Sequence, residues 1–145
     1  MEAIGFISLW GFTPSIDFFQ GTPHKLEDQD GDLNVLISEC ADVRHILRTL
    51  SDNLPLGKER KGKLNIYIHE KQKENICRDI LFLTVICEKH LSMRERQELF
   101  LDLYGNALIR DKTSNYLEHI VKELIQLITE DDRCPNVLKD LVTFD

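Results

Sequence analysis

The order of apolar runs between residues 33 and 68 constrains the fold more than any other feature of this chain. Leu33-Asn34-Val35-Leu36-Ile37 is short and rich in β-branched residues, and it follows a polar stretch, so it reads as a buried strand. Ser38-Glu39-Cys40-Ala41 reads as a tight turn, and Asp42 as the N-cap of a helix. Val43, Ile46, Leu47 and Leu50 then recur at i, i+3, i+4 and i+7, one face of a helix from about Asp42 to Leu50. Leu64-Asn65-Ile66-Tyr67-Ile68 is a second strand, closed by His69-Glu70. Two strands joined through a helix pair most readily in parallel, so the expected unit is βαβ with adjacent parallel strands.

The remainder reads as helical. Residues 81–87 are apolar on every side, which fits either a deeply buried helix or a third strand; helix is favoured because no turn residue separates them from Glu74. Ser92 and Glu95 form a capping-box pattern, with Met93, Phe100, Leu103, Tyr104 and Ala107 on one side of the helix that follows. Ser114 is the expected cap of the last helix. Along it Leu117, Ile120, Val121, Leu124, Ile125 and Ile128 hold the helical period without a miss, and this stripe is expected to pack on the sheet or on the Glu95–Arg110 helix. The fold class is therefore α/β: an incomplete Rossmann- or methyltransferase-like βαβ core followed by a helical second half. Residues 1–145 form one domain or part of a larger one, and 20–32 and 53–63 are loops.

A net charge of −7 disfavours nucleic acid or an anionic membrane surface as a partner. No apolar run is long enough to span a bilayer, and the N-terminus lacks the basic region of a secretory signal. Cys40, Cys77, Cys87 and Cys134 include no C-x-x-C pair. Three of them stand inside apolar segments, the pattern of buried thiols in a reducing compartment. The five histidines share no ligand spacing with one another or with the cysteines, so no metal site is expected.

The turn after the first strand is the place to look for cofactor chemistry. In doubly wound folds a glycine-rich turn there lets backbone N–H groups approach a cofactor, and an acid ending the next strand holds its ribose. Glu70 stands where that acid stands in S-adenosylmethionine-dependent methyltransferases, but the turn has no glycine, and Glu39 and Cys40 carry side chains into the approach. Ser38, Asp42 and Glu70 are thus candidates for a vestigial pocket, with no cofactor and no catalytic residue expected. Glu70 reads otherwise as a solvated carboxylate capping the next helix. Thr13-Pro14 reads as the start of a short helix with Asp17 in its first turn. Trp10 is expected to be mostly buried, with an exposed partner patch as the other reading.

Several stretches together resemble the N-terminal region of the dynein axonemal assembly factor 3 family. They are Ser8 to Asp17 (Ser-Leu-Trp-Gly-Phe-Thr-Pro-Ser-Ile-Asp), Leu33 to Ile37, Asp42 to Leu50 (Asp-Val-Arg-His-Ile-Leu-Arg-Thr-Leu), Asn65 to Glu70, and Glu95 to Arg110 with its Tyr104-Gly105-Asn106. The resemblance implies a non-catalytic cytoplasmic factor for preassembling axonemal dynein arms, needed to build motile cilia. Its partners would be axonemal dynein chains and other assembly factors or chaperones. It also implies a protein of several hundred residues, of which this chain is a truncated or partial product that lacks half of the expected sheet. Trp10, Arg44, Arg48 and Arg110, all within these stretches, are the candidate partner surface. The alternative is a methyltransferase-like enzyme or cofactor-binding relative.

Overall fold

A computed structural model describes residues 8–20, 31–53, 62–130 and 135–144. Most of the two expected loops, together with His24 and Cys134, lies outside the described residues. The elements run β1 (Leu33–Ser38), α1 (Arg44–Asn53), β2 (Leu64–His69), α2 (Lys73–Cys87), α3 (Met93–Gly105) and α4 (Asp111–Ile128). The described residues thus form a mixed α/β structure with a small two-stranded sheet and four helices. The chain divides into two compact units, Met1–Arg78 and Asp79–Asp145.

In the first unit β1 and β2 are adjacent and parallel, in register from Leu33 opposite Leu64 to Ser38 opposite His69. This is the pairing that the run–helix–run order predicts. Along β1 side chains alternate between half-buried and exposed. One face carries Leu33, Val35 and Ile37, while Leu36 and Tyr67, directly opposite each other, lie 70% and 55% exposed on the other. Asn65 Nδ2 donates to Asn34 Oδ1 on that same outer face (2.9 Å), a cross-strand pair that holds the register. In α1, Val43 just ahead of the helix and Ile46 within it are buried, as the period requires. The helix starts slightly later and ends later than expected, reaching Asn53, because the Asn53 side chain folds back to donate to Thr49 O (2.7 Å).

The segment 8–20 is not a helix. It is an irregular strap with one turn at its end, where Gln20 N–H donates to Asp17 O (3.2 Å). Three of its backbone donors go to side chains of α1 and the residues just ahead of it: Gly11 N–H to Asp42, Ile16 N–H to His45 and Phe18 N–H to Thr49. Trp10 is 44% exposed, against the expectation of burial, with the Arg78 guanidinium 5.6 Å from its ring.

In the second unit the apolar run 81–87 is helical, as favoured, and Phe82, Thr84 and Val85 are fully buried. Phe82 packs tilted on Phe100 (4.8 Å between ring centres) and Tyr104 (5.8 Å). The Ser92–Glu95 capping box forms as read, with both reciprocal bonds present. Met93, however, is exposed, and the buried residues of α3 are Leu99 and Asp102. Helix α4 begins at Asp111, and Ser114 lies inside it. The cause is Asp102, whose carboxylate accepts the Arg110 N–H (3.2 Å) and the Thr113 hydroxyl, fixing the first turn ahead of Ser114. The α4 stripe is rotated from its expected setting. Thr113, Ile120 and Leu127 are buried, Leu117 and Leu124 are half-buried, and Val121, Ile125 and Ile128 are exposed. The cysteines are less buried than their apolar neighbours suggested: Cys77 is exposed and Cys40 and Cys87 are half-buried.

Candidate functional site

The first unit contains a cavity of about 710 Å³ at the C-terminal ends of the two parallel strands. That is where open parallel sheets place ligands. Its walls are the β1–α1 turn, Glu70 and Lys71 after β2, Arg44 and His45 of α1, and the strap around Trp10 and Phe12.

The turn reaches a glycine-like backbone without glycine. Glu39 (φ 52°) and Ala41 (φ 68°) both occupy the left-handed region, a costly setting for residues with a Cβ. No local signal in the sequence announces this backbone, because without glycine the side chains of Glu39 and Cys40 read as an obstruction. Two carboxylates hold the turn. Glu70 Oε1 accepts the Ala41 N–H (2.9 Å), so Glu70 bonds back to the turn instead of capping α2. Asp42 is buried, and its Oδ2 accepts the Gly11 N–H (2.8 Å) while its Oδ1 accepts the Arg44 N–H (3.0 Å). Ser38 remains exposed, its Oγ 3.5 Å from His69 Nδ1. Ser38 and Glu70 thus line the cavity, whereas the buried Asp42 holds the turn and is not among the lining residues.

Arg44 is the clamp of the site. Its guanidinium pairs with Asp42 (2.8 Å) and donates to Cys40 O (3.2 Å), Thr13 O (3.1 Å) and Thr13 Oγ1 (2.8 Å). A Cβ on Gly11 would overlap that guanidinium, which explains glycine beside Trp10 on steric grounds. On the next residue of α1, His45 Nδ1 accepts the Ile16 N–H (3.0 Å), and one turn further on Thr49 Oγ1 accepts the Phe18 N–H (3.0 Å). Asn53 Nδ2 closes the series by donating to Asp17 Oδ1 (3.2 Å). Burial, and next to it the Arg44 charge, lower the His45 pKa against the opposing pull of Asp42. A ring that accepts at Nδ1 is neutral with its proton on Nε2. His45, Thr49 and Asn53 stand at a spacing of four, a signal of a second, polar working face on α1 that the apolar periodicity alone conceals.

The other candidate partner residues, Arg48 and Arg110, are not among the residues that line the cavity. Arg48 is half-exposed and pairs with Asp52 one turn on (2.6 Å). In the second unit Arg110 is half-exposed and bonds Asp102 (3.2 Å) and Glu98 O (3.1 Å). The Thr113 hydroxyl, then the Arg110 N–H and the side chains of Asn106 and Arg110, hold the Asp102 carboxyl far below the usual carboxylate range. Among the described residues no group of His, Cys, Asp and Glu is arranged to hold a metal ion, and no helix is long and apolar enough to cross a membrane.

Residues 9–109, which carry the strap, the turn and the clamp, match the family described as Domain of unknown function (DUF4470). The chain belongs to that family. Curated relatives at 30–38% identity extend the likeness beyond the matched residues. Dynein axonemal assembly factor 3 of Xenopus laevis is 38% identical over 133 residues, 86% of this chain and 27% of its own length. The protein of that name from Xenopus tropicalis is 34% identical over 134 residues, 85% of this chain and 29% of its own length. The human protein is 30% identical over 141 residues, 91% of this chain and 26% of its own length. The chain thus spans about a quarter of the length of these relatives. No solved structure matches it. Within this DUF4470 chain, the tryptophan-glycine-x-threonine-proline and arginine-histidine stretches that carried the resemblance are the two halves of one clamp.

Proposed function

We propose that this protein acts in the assembly of axonemal dyneins, in the cytoplasm and without catalysis, before the arms enter motile cilia. The observation that carries this is the 38% identity, over 86% of the chain, to a relative named dynein axonemal assembly factor 3. Its partners are then axonemal dynein chains, other assembly factors and chaperones. The exposed positions of Trp10, Arg48 and Arg110 support a role at the partner surface, whereas Arg44 is spent inside the fold. The parallel βαβ unit supports the reading of this part as a Rossmann- or methyltransferase-like core. Two features support a non-catalytic reading of that core. The turn amide that would face a cofactor is taken by Glu70, and the neighbouring Asp42 is committed to Arg44 and the strap.

The test is to disrupt the gene in multiciliated cells and inspect axonemes in cross-section. Loss of dynein arms, with dynein heavy chains retained or degraded in the cytoplasm, is the expected result. Axonemes with a normal complement of arms would refute the proposal.

A further inference from the structure

Three backbone donors around the β1–α1 turn end on acceptors supplied by the protein itself. Glu39 N–H donates to His69 O (2.9 Å), Ala41 N–H to Glu70 Oε1 (2.9 Å), and Arg44 N–H to Asp42 Oδ1 (3.0 Å). A turn with residues alternating into the left-handed region turns its N–H groups toward a common side and makes a concavity that receives anions. Here Glu39 and Ala41 give that alternation. Of the three acceptors, only Glu70 is a side chain reaching in from the opposite strand end, and it shares the cavity wall with Ala41. Asp42 is buried and tied to three groups, and the His69 oxygen belongs to the backbone of β2, so neither can leave without dismantling the fold. Glu70 is half-buried on a rotatable side chain.

We propose that Glu70 is a built-in occupant of this anion position, locking the left-handed turn and closing the cavity to ligands that carry a carboxylate or phosphate. An external anion would need the same Ala41 N–H and would meet the Glu70 charge at hydrogen-bond range, so it is excluded twice, by occupancy and by repulsion. Lys71 and Arg44 line the same wall, and Arg44 is already neutralised by Asp42. Removing the Glu70 carboxylate therefore leaves an open N–H in a cavity whose wall includes Lys71, which turns a closed site into a weak anion site. The inference concerns the cavity alone and stands whether or not the assembly role holds.

The experiment follows the Ala41 amide in the whole chain by 1H–15N spectra and hydrogen exchange, with inorganic phosphate as the probe. In the wild type, phosphate should leave the Ala41 signal in place. In Glu70→Ala, exchange at Ala41 should accelerate about tenfold or more, and phosphate should move the signal saturably and restore protection. Glu70→Gln keeps an acceptor at the same reach, so Ala41 should stay protected at near the wild-type level. Three results would each overturn the proposal. They are phosphate shifting Ala41 in the wild type, Ala41 remaining protected and blind to phosphate in Glu70→Ala, and Glu70→Gln losing protection. The first and third do not depend on the alanine variant folding.

Discussion

Replacing Arg44 by methionine keeps the aliphatic stem and deletes the fork that joins three separate pieces of chain. Four contacts disappear: one ion pair to Asp42, two bonds to Thr13 and one to the Cys40 carbonyl. Removing one partner of a buried ion pair costs about 3–5 kcal/mol when the other charge is left alone. The loss here is smaller for two reasons. The Arg44 side chain is 20% exposed, so water already screens part of the pair, and Asp42, at 1%, keeps the Gly11 and Arg44 N–H donors. A loss of about 2–3 kcal/mol follows, a large share of the roughly 5–15 kcal/mol that holds a domain folded. Arg48→Met, which breaks an exposed pair one turn away, should cost only about 0.3–0.5 kcal/mol.

Urea unfolding followed by circular dichroism measures both, with the Arg48 variant as control. Gly11→Ala provides a second reading of the same clamp, because its Cβ displaces the guanidinium. The two changes then destroy one interaction, and the double variant should be no less stable than the worse single one, a coupling of neighbours rather than a sum. Equal midpoints for the Arg44 and Arg48 variants, or additive losses for Gly11→Ala and Arg44→Met, would refute the clamp and return Arg44 to the partner surface.

Two further outcomes follow from the same physical terms. His45 folds as a neutral acceptor with a lowered pKa, so the folded state binds fewer protons than the unfolded one. Its contribution is therefore complete above about pH 6.5 and is lost as pH falls below that through the depressed folded value. The urea midpoint should drop from about pH 7 to pH 5 more steeply in the wild type than in His45→Gln, and parallel slopes would contradict the Ile16–His45 bond. On α4, Ile120 is 1% exposed and Ile125 is 57% exposed. Ile120→Asp should abolish the cooperative melt, whereas Ile125→Asp should stay within about 0.5 kcal/mol of the wild type. The reverse order would mean that α4 is rotated about its axis.

The sequence alone determined what depends on near neighbours. Runs of apolar residues, the spacing of Val43, Ile46, Leu47 and Leu50, and the Ser92–Glu95 box each record interactions within a few residues, so strands, helices and the parallel pairing were legible. The apolar stretch 81–87 was legible as helix because nothing local interrupted it. Tertiary structure decided what joins residues about thirty positions apart. Thr13-Pro14 has the local form of a helix start, yet α1 offers Arg44, His45 and Thr49 as partners, and those bonds outcompete a helical turn for the strap's backbone. Ser114 has the local form of a cap, yet Asp102 takes hold of Arg110 and Thr113 first. The α4 period named the apolar positions but not which of them faces inward, because periodicity fixes a stripe's width and leaves its rotation to whatever packs against it. The turn shows the same division most clearly. Its lack of glycine was plain in the sequence, but the acceptor that makes a left-handed Ala41 tolerable comes from Glu70, at the end of the other strand.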